Sequence, residues 1–139
     1  MAEHNVIGAF GEYAVEVILR KAGVDVKRGK PADLICNGVP VEVKTARPTR
    51  YDGRKDGFQF SLRRDGHTNV RAPLVICVCV FDPEDLFDSE LDFFIIPSQD
   101  IEGLRGVAIH KDTAAYNGRW ARYRQNWSVL EEVLYAAAR

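Results

Sequence analysis

The stretch Pro31-Ala32-Asp33-Leu34-Ile35-Cys36-Asn37-Gly38-Val39-Pro40-Val41-Glu42-Val43-Lys44-Thr45 decides how this chain folds. Asn37-Gly38 is a strong signal for a two-residue hairpin loop, because both positions tolerate positive φ. Counting outward from it sets Cys36 opposite Val39, Ile35 opposite Pro40, Leu34 opposite Val41 and Asp33 opposite Glu42. Two carboxylates become cross-strand neighbours with Cβ atoms about 4.5 to 5.5 Å apart, which destabilises a hairpin unless positive charge lies between them. Period-two alternation puts Lys44 on the face of both acids and turns Val41 and Val43 to the opposite, apolar face. Native sequences keep local conflicts of this kind mainly at functional sites.

The chemistry of the trio is specific. Two hard oxygen ligands beside an ammonium are what a magnesium site for phosphate-ester hydrolysis requires: Asp33 and Glu42 hold the ion, and Lys44 orients water or offsets developing charge. The competing reading is a solvated surface hairpin in which Lys44 merely neutralises two acids. Leu34, Ile35, Val41 and Val43 argue against it, since they make the pair half-buried, and buried charges need partners or a metal.

Outward from the hairpin, Val6, Phe10, Ala14, Val17 and Ile18 form one stripe at helical spacing over residues 6–22, and Gly23 follows where a helix C-terminus favours it. Residues 24–27 alternate as a short strand before Gly29-Lys30-Pro31 breaks the chain. Beyond an arginine-rich loop, residues 58–62 alternate as another strand, and residues 63–72 read as a second basic loop. The continuous apolar run over residues 73–81 suits a central strand covered on both faces. Short strands over 91–96 and 106–110 flank a turn of helix at 98–101. Trp120, Tyr123, Trp127, Leu130 and Leu134 recur at three- and four-residue spacing, predicting a closing helix over 119–138. The element order predicts an α/β or α+β sandwich: a mixed central sheet flanked by an N-terminal and a C-terminal helix, in one domain spanning residues 1–139.

A chain of 139 residues with 46% hydrophobic and 28% charged residues suffices for one core. Its net charge of -1 argues neither for nor against nucleic acid, since only clustered charge makes a binding field. Charge is clustered here. Between Arg47 and Arg71 stand seven basic residues against three acidic ones, whereas Asp82 to Glu102 carries eight acidic residues and no Lys or Arg, giving a basic and an acidic side; the stretch from Asp82 to Asp92 reads as a solvated loop in preference to a docking surface for a basic partner. Cys36, Cys77 and Cys79 lie in apolar runs without zinc-type spacing and read as small buried hydrophobes. No secretory leader and no membrane span is written in the sequence, and the expected location is cytoplasmic.

Pro31-Ala32-Asp33, eight intervening residues and Glu42-Val43-Lys44, preceded by a helix carrying Gly11-Glu12 and followed by an aromatic strand, resemble the PD-(D/E)XK nuclease superfamily over roughly residues 9–62. Within it the chain is similar to the Holliday-junction-resolvase-like and small endonuclease branches. One departure is Ala32, which separates the proline from Asp33. The resemblance implies a restriction-endonuclease-like core and a magnesium-dependent DNA endonuclease, with manganese as an alternative ion. It implies Asp33, Glu42 and the Val43 carbonyl as metal ligands, Lys44 as the catalytic lysine, and Glu12 as a metal- or water-orienting acid. Glu16, one turn on, has Arg20 as an i,i+4 partner and reads as a surface ion pair. Gln59 is a further candidate, because members place a polar residue near the metal from the following strand. Arg47, Arg50, Arg54, Lys55, Arg63 and Arg64 would flank the scissile phosphate and contact the DNA backbone, with Arg119, Arg122 and Arg124 extending that surface. The apolar C-terminal helix is the candidate interface for a homodimer. The rival from another class is a non-catalytic nucleic-acid-binding or protein-interaction module that keeps the fold.

Overall fold

In the computed structural model, which describes residues 2–29, 32–49, 57–64, 67–68 and 72–138, helix α1 (Ala2–Lys21) opens the chain. It ends in a paired cap: the Gly23 N–H reaches the Arg20 carbonyl at 3.0 Å and the Val24 N–H reaches Leu19 at 3.0 Å. This closure needs the left-handed φ of 87° that Gly23 adopts. Strands β1 (Val26–Arg28), β2 (Leu34–Cys36) and β3 (Val39–Ala46) follow as an antiparallel meander. The β2–β3 turn has φ of 49° at Asn37 and 83° at Gly38, and the register is the one counted from the sequence, Cys36 to Val39, Ile35 to Pro40 and Leu34 to Val41.

After β4 (Pro48–Thr49), β5 (Gly57–Ser61), β6 (Arg63–Arg64) and β7 (His67–Thr68), the chain returns as β8 (Leu74–Val80), which pairs parallel with β3. Every residue of β8 is buried, as its apolar run predicts for a central strand. Strand β9 (Leu91–Pro97) closes this sheet antiparallel to β8, giving the order β1-β2-β3-β8-β9. A second sheet, β10-β5-β4 with β10 spanning Gly106–His110, is absent from the expected architecture. It covers the face of the main sheet that the helices do not. Phe58, Phe60, Val107 and Ile109 pack there against Val75, Cys77, Phe94 and Ile96, while α1 and the C-terminal helix α2 (Ser128–Ala138) cover Val41, Val43, Ile76 and Ile95.

The closing helix is shorter than its stripe predicts. Residues 121–123 form a 3-10 turn, Arg124 is extended, Gln125 has φ of 51°, and only then does α2 begin. Asp92 explains the break: it draws Arg124 Nε to 2.6 Å and Gln125 Nε2 to 2.6 Å, while the Gln125 N–H donates to the Phe93 carbonyl at 2.7 Å. The single aromatic stripe therefore serves two cores. Trp120 and Tyr123 enter the layer between the sheets, and Trp127, Leu130 and Leu134 enter the helical layer, so that the apolar side of α2 is turned inward. All three cysteines are buried and free, and burial pushes the Cys36 thiol up to about 11. Among the described residues, no helix is long and apolar enough to cross a membrane.

Candidate active site

The β2–β3 ladder ends at Leu34 and Val41, and Asp33 lies just beyond it. Its Oδ2 accepts the Val43 N–H at 2.9 Å, so the side chain takes the bond that a further rung of β2 would have taken. In an extended strand the N–H and C=O of one residue point to the same edge, so the Val43 carbonyl is directed to the edge where Asp33 sits. Lys44 Nζ stands 3.8 Å from Glu42 Oε1, with the side chains 25% and 14% exposed. The registers of Glu42 with Val75 and of Lys44 with Cys77 put both on the face that looks toward the second sheet. Burial drives the Cys77 thiol up to about 12 despite the opposing field of Lys44, which keeps this cysteine a protonated bystander.

Glu12 reaches the same neighbourhood from α1. The contact that brings the helix in is Gly11: a Cβ there would lie 1.9 Å from Thr45 Oγ1, so only glycine lets α1 approach β3 this closely. Thr45 Oγ1 is itself buried and has no hydrogen-bond partner among the described residues. Burial first, and then the charge of Asp33, raise the Glu12 carboxyl above the ordinary glutamate range, with Arg28 opposing from 4.0 Å. Glu16 has the fate its spacing predicts, paired to Arg20 at 3.0 Å and to Arg28 at 2.8 Å, and the Arg28 hydrogen bond leads in holding its pKa down. Glu12 thus comes near Asp33 from the helical side, while Glu42 and Lys44 pair with each other on the opposite face of β3. A mid-helix glycine beside a candidate acid was the sequence signal for the Gly11 contact, but nothing in the sequence named Thr45 as its partner.

Gln59 is not brought to them. It is exposed on β5, between Phe58 and Phe60, whose side chains turn inward to the main sheet, so it stands on the outer face of the second sheet. Arg47 leaves the end of β3 and lies 3.6 Å from Glu84. Arg63 and Arg64 form β6, opposite Thr68 and His67. Arg50, Arg54 and Lys55 lie outside the described residues. Arg119, Arg122 and Arg124 are engaged within the chain, and Arg124 meets an acid of the stretch read as a solvated loop. Arg122 binds Asp100 at 2.9 Å, Arg119 donates to the Asp100 carbonyl at 3.2 Å, and Arg124 binds Asp92.

Asp92 corrects that reading most sharply. It is 2% exposed and accepts from Thr113, Arg124, Gln125 and the Phe93 N–H. Burial pushes its carboxyl up, but these hydrogen bonds together outweigh burial and hold it below the ordinary aspartate range.

Among the described residues, no group of three or more His, Cys, Asp or Glu side chains is gathered closely enough to hold a metal ion unaided. The donors at the hairpin are two carboxylates and a main-chain carbonyl edge. That set fits magnesium, which keeps several waters and is commonly completed by substrate phosphate.

The sequence matches no protein-family model and no curated protein. Among solved structures, the chain shares its fold with an endonuclease. That structure is a bacterial homing endonuclease, I-Ssp6803I, which superposes with a TM-score of 0.69 over 96% of this chain and 95% of that chain, at 16% identity. At this identity the likeness establishes a common fold alone.

Proposed function

We propose that the chain is a metal-dependent DNA endonuclease of the PD-(D/E)XK type. What supports this reading is Asp33 at the end of the hairpin, bound to the Val43 N–H and felt by Glu12 of α1, with the Glu42–Lys44 pair on the neighbouring strand, in a fold shared with a known endonuclease. Asp33, Glu42 and the Val43 carbonyl would hold magnesium, or manganese in its place. If bound, the ion would polarise a phosphoryl oxygen and make an attacking water more acidic. Lys44, kept beside Glu42, presents an ammonium to the phosphoryl oxygens and offsets charge that develops on them. Glu12, desolvated and repelled by Asp33, accepts a hydrogen bond from the attacking water and fixes its direction. Arg47, Arg50, Arg54, Lys55, Arg63 and Arg64 supply the phosphate contacts that set the DNA across the site.

The test is cleavage of supercoiled plasmid, linear duplex, single-stranded and four-way-junction DNA across magnesium and manganese titrations, by wild type and Asp33→Ala. Wild type is expected to cut at least one substrate only with metal, and Asp33→Ala none. The preferred substrate then separates a junction-resolving enzyme from a duplex-cutting one. If neither protein cuts, and calorimetry finds no metal binding lost on removing Asp33, the binding-module reading replaces this one.

A further inference from the structure

Two arginines share Glu16, and the structure uses them differently. Arg20 Nε binds Glu16 Oε2 at 3.0 Å while Arg20 Nη2 donates to the Val26 carbonyl at 2.7 Å, so that guanidinium is occupied on two sides. Arg28 Nε donates to Glu16 Oε1 at 2.8 Å, and among the described residues the two terminal nitrogens of Arg28 make no hydrogen bond. Glu12 stands near them, but its Oε1 lies 4.0 Å from Arg28 Nη1, beyond hydrogen-bonding reach. The Arg28 side chain is 49% exposed. Arg28 is thus held from behind at Nε, with its forward edge open.

That edge lies beside the candidate site. Arg28 ends β1 in register with Leu34, the residue that follows Asp33. It shares a strand face with Val26, a member of the core under the helices, and this orientation carries it to Glu12 and Glu16 of α1. After burial, the charges that act on the Glu12 carboxyl are Asp33 and, in opposition, Arg28, so the two flank one acid. Lys44 stands on the opposite face of β3. A phosphodiester brought to Asp33 therefore meets carboxylates on the helical side, and Arg28 is placed to offset the repulsion.

We propose that Arg28 binds substrate: the terminal nitrogens of its guanidinium hold a backbone phosphate of duplex DNA on the helical side of the cut. The inference rests on the nuclease reading and adds to it a phosphate contact far from the basic stretch that follows β3. Two parallel N–H donors at the end of a guanidinium match two oxygens of a phosphate, a geometry that an ammonium does not reproduce. Because Nε is already bound to Glu16, the guanidinium is oriented before DNA arrives, and little side-chain freedom is lost on binding. Arg20 carries the same charge on the same acid but has no comparable open edge.

The test measures binding of a fluorescent duplex to the full chain by anisotropy across a salt series in magnesium, in the Asp33→Asn background so that the duplex is not consumed. Arg28→Ala should weaken binding about tenfold, as loss of one charge-assisted contact does. It should also lower the slope of log affinity against log salt by about 0.9, the counterion release of one phosphate. Arg28→Lys keeps the charge and should keep the slope, and Arg20→Ala should leave the slope unchanged. Exposed ion pairs contribute little to stability, so a thermal melt should find every variant folded. A slope that ignores Arg28→Ala overturns the inference, and so does an equal fall in Arg20→Ala, which is the behaviour of a general field and not of a contact. Wild-type cleavage run alongside separates the two claims: a wild type that cuts, with a slope indifferent to Arg28, removes this inference alone. A wild type that neither cuts nor binds duplex removes the nuclease reading and this inference with it.

Discussion

Two groups of acids in this molecule are treated in opposite ways. At Asp92, the Thr113 hydroxyl, the Arg124 guanidinium, the Gln125 amide and the Phe93 N–H all converge on one buried carboxylate. At the hairpin end, Asp33 receives one backbone N–H, Glu42 has Lys44 at 3.8 Å, and Glu12 is pushed toward protonation by burial and by the charge of Asp33. The first acid is held down in pKa and pins the chain where the closing helix breaks. The second group keeps its electrostatic conflict. An acid enclosed by four donors stabilises the fold, whereas the hairpin acids are the ones proposed here to meet a cation.

The widest separation between the two should come from isosteric removal of charge. Asp33→Asn keeps an acceptor for the Val43 N–H and relieves the repulsion on Glu12, so its melting temperature should match or exceed wild type. Cleavage should fall by at least about a thousandfold, since several kcal/mol of transition-state stabilisation are lost with the ligand. Asp92→Ala should do the reverse. Breaking a buried ion pair costs about 3 kcal/mol, taken at the low end because Arg124 is partly exposed, and this lowers the melting temperature by roughly 10 °C. Below that temperature cleavage should persist, which a melt and an assay on the same sample would show.

The pH dependence of stability sharpens the same contrast. Because the folded state holds the Asp92 carboxyl below its ordinary value of 3.8, its stabilisation is fully present above that pH and is lost as the pH falls through the lower, folded value. Urea midpoints of wild type taken down through this window should drop more steeply than those of Asp92→Ala.

Smaller effects probe the contact that carries Glu12. Gly11→Ala forces a methyl onto Thr45 and should cost about 1–3 kcal/mol, with cleavage falling further than the stability loss accounts for as α1 shifts. Thr45→Val replaces a buried hydroxyl that has no partner among the described residues with a methyl and should stabilise by about 1 kcal/mol, readable as a small upward shift in melting temperature.

Local chemistry was the legible part of the fold. The Asn37-Gly38 turn dictated a register that fixed which side chains share a face, and the unbroken apolar run marked β8 as the central strand. What stayed hidden depends on contacts distant in sequence. Residues 119–138 have a sound helical period, yet Asp92, far upstream, claims Arg124 and Gln125 and breaks the helix between them. The second sheet was missed for a related reason. Residues 58–62 and 106–110 each read correctly as strands, but nothing local says that they pair with each other rather than with the main sheet. At the site, Asp33, Glu42 and Lys44 were within reach of counting because one hairpin holds them. The Gly11 to Thr45 contact joins a helix to a strand and could not be counted.

The most direct test of the contrast is plasmid cleavage in magnesium, with a chelator control, for wild type, Asp33→Asn and Asp92→Ala side by side at a temperature where all three are folded. Wild type and Asp92→Ala are expected to cut, Asp33→Asn to be inert, and the chelator to stop all cutting. Cleavage by Asp33→Asn at the wild-type rate, or cutting by wild type that survives the chelator, would contradict it.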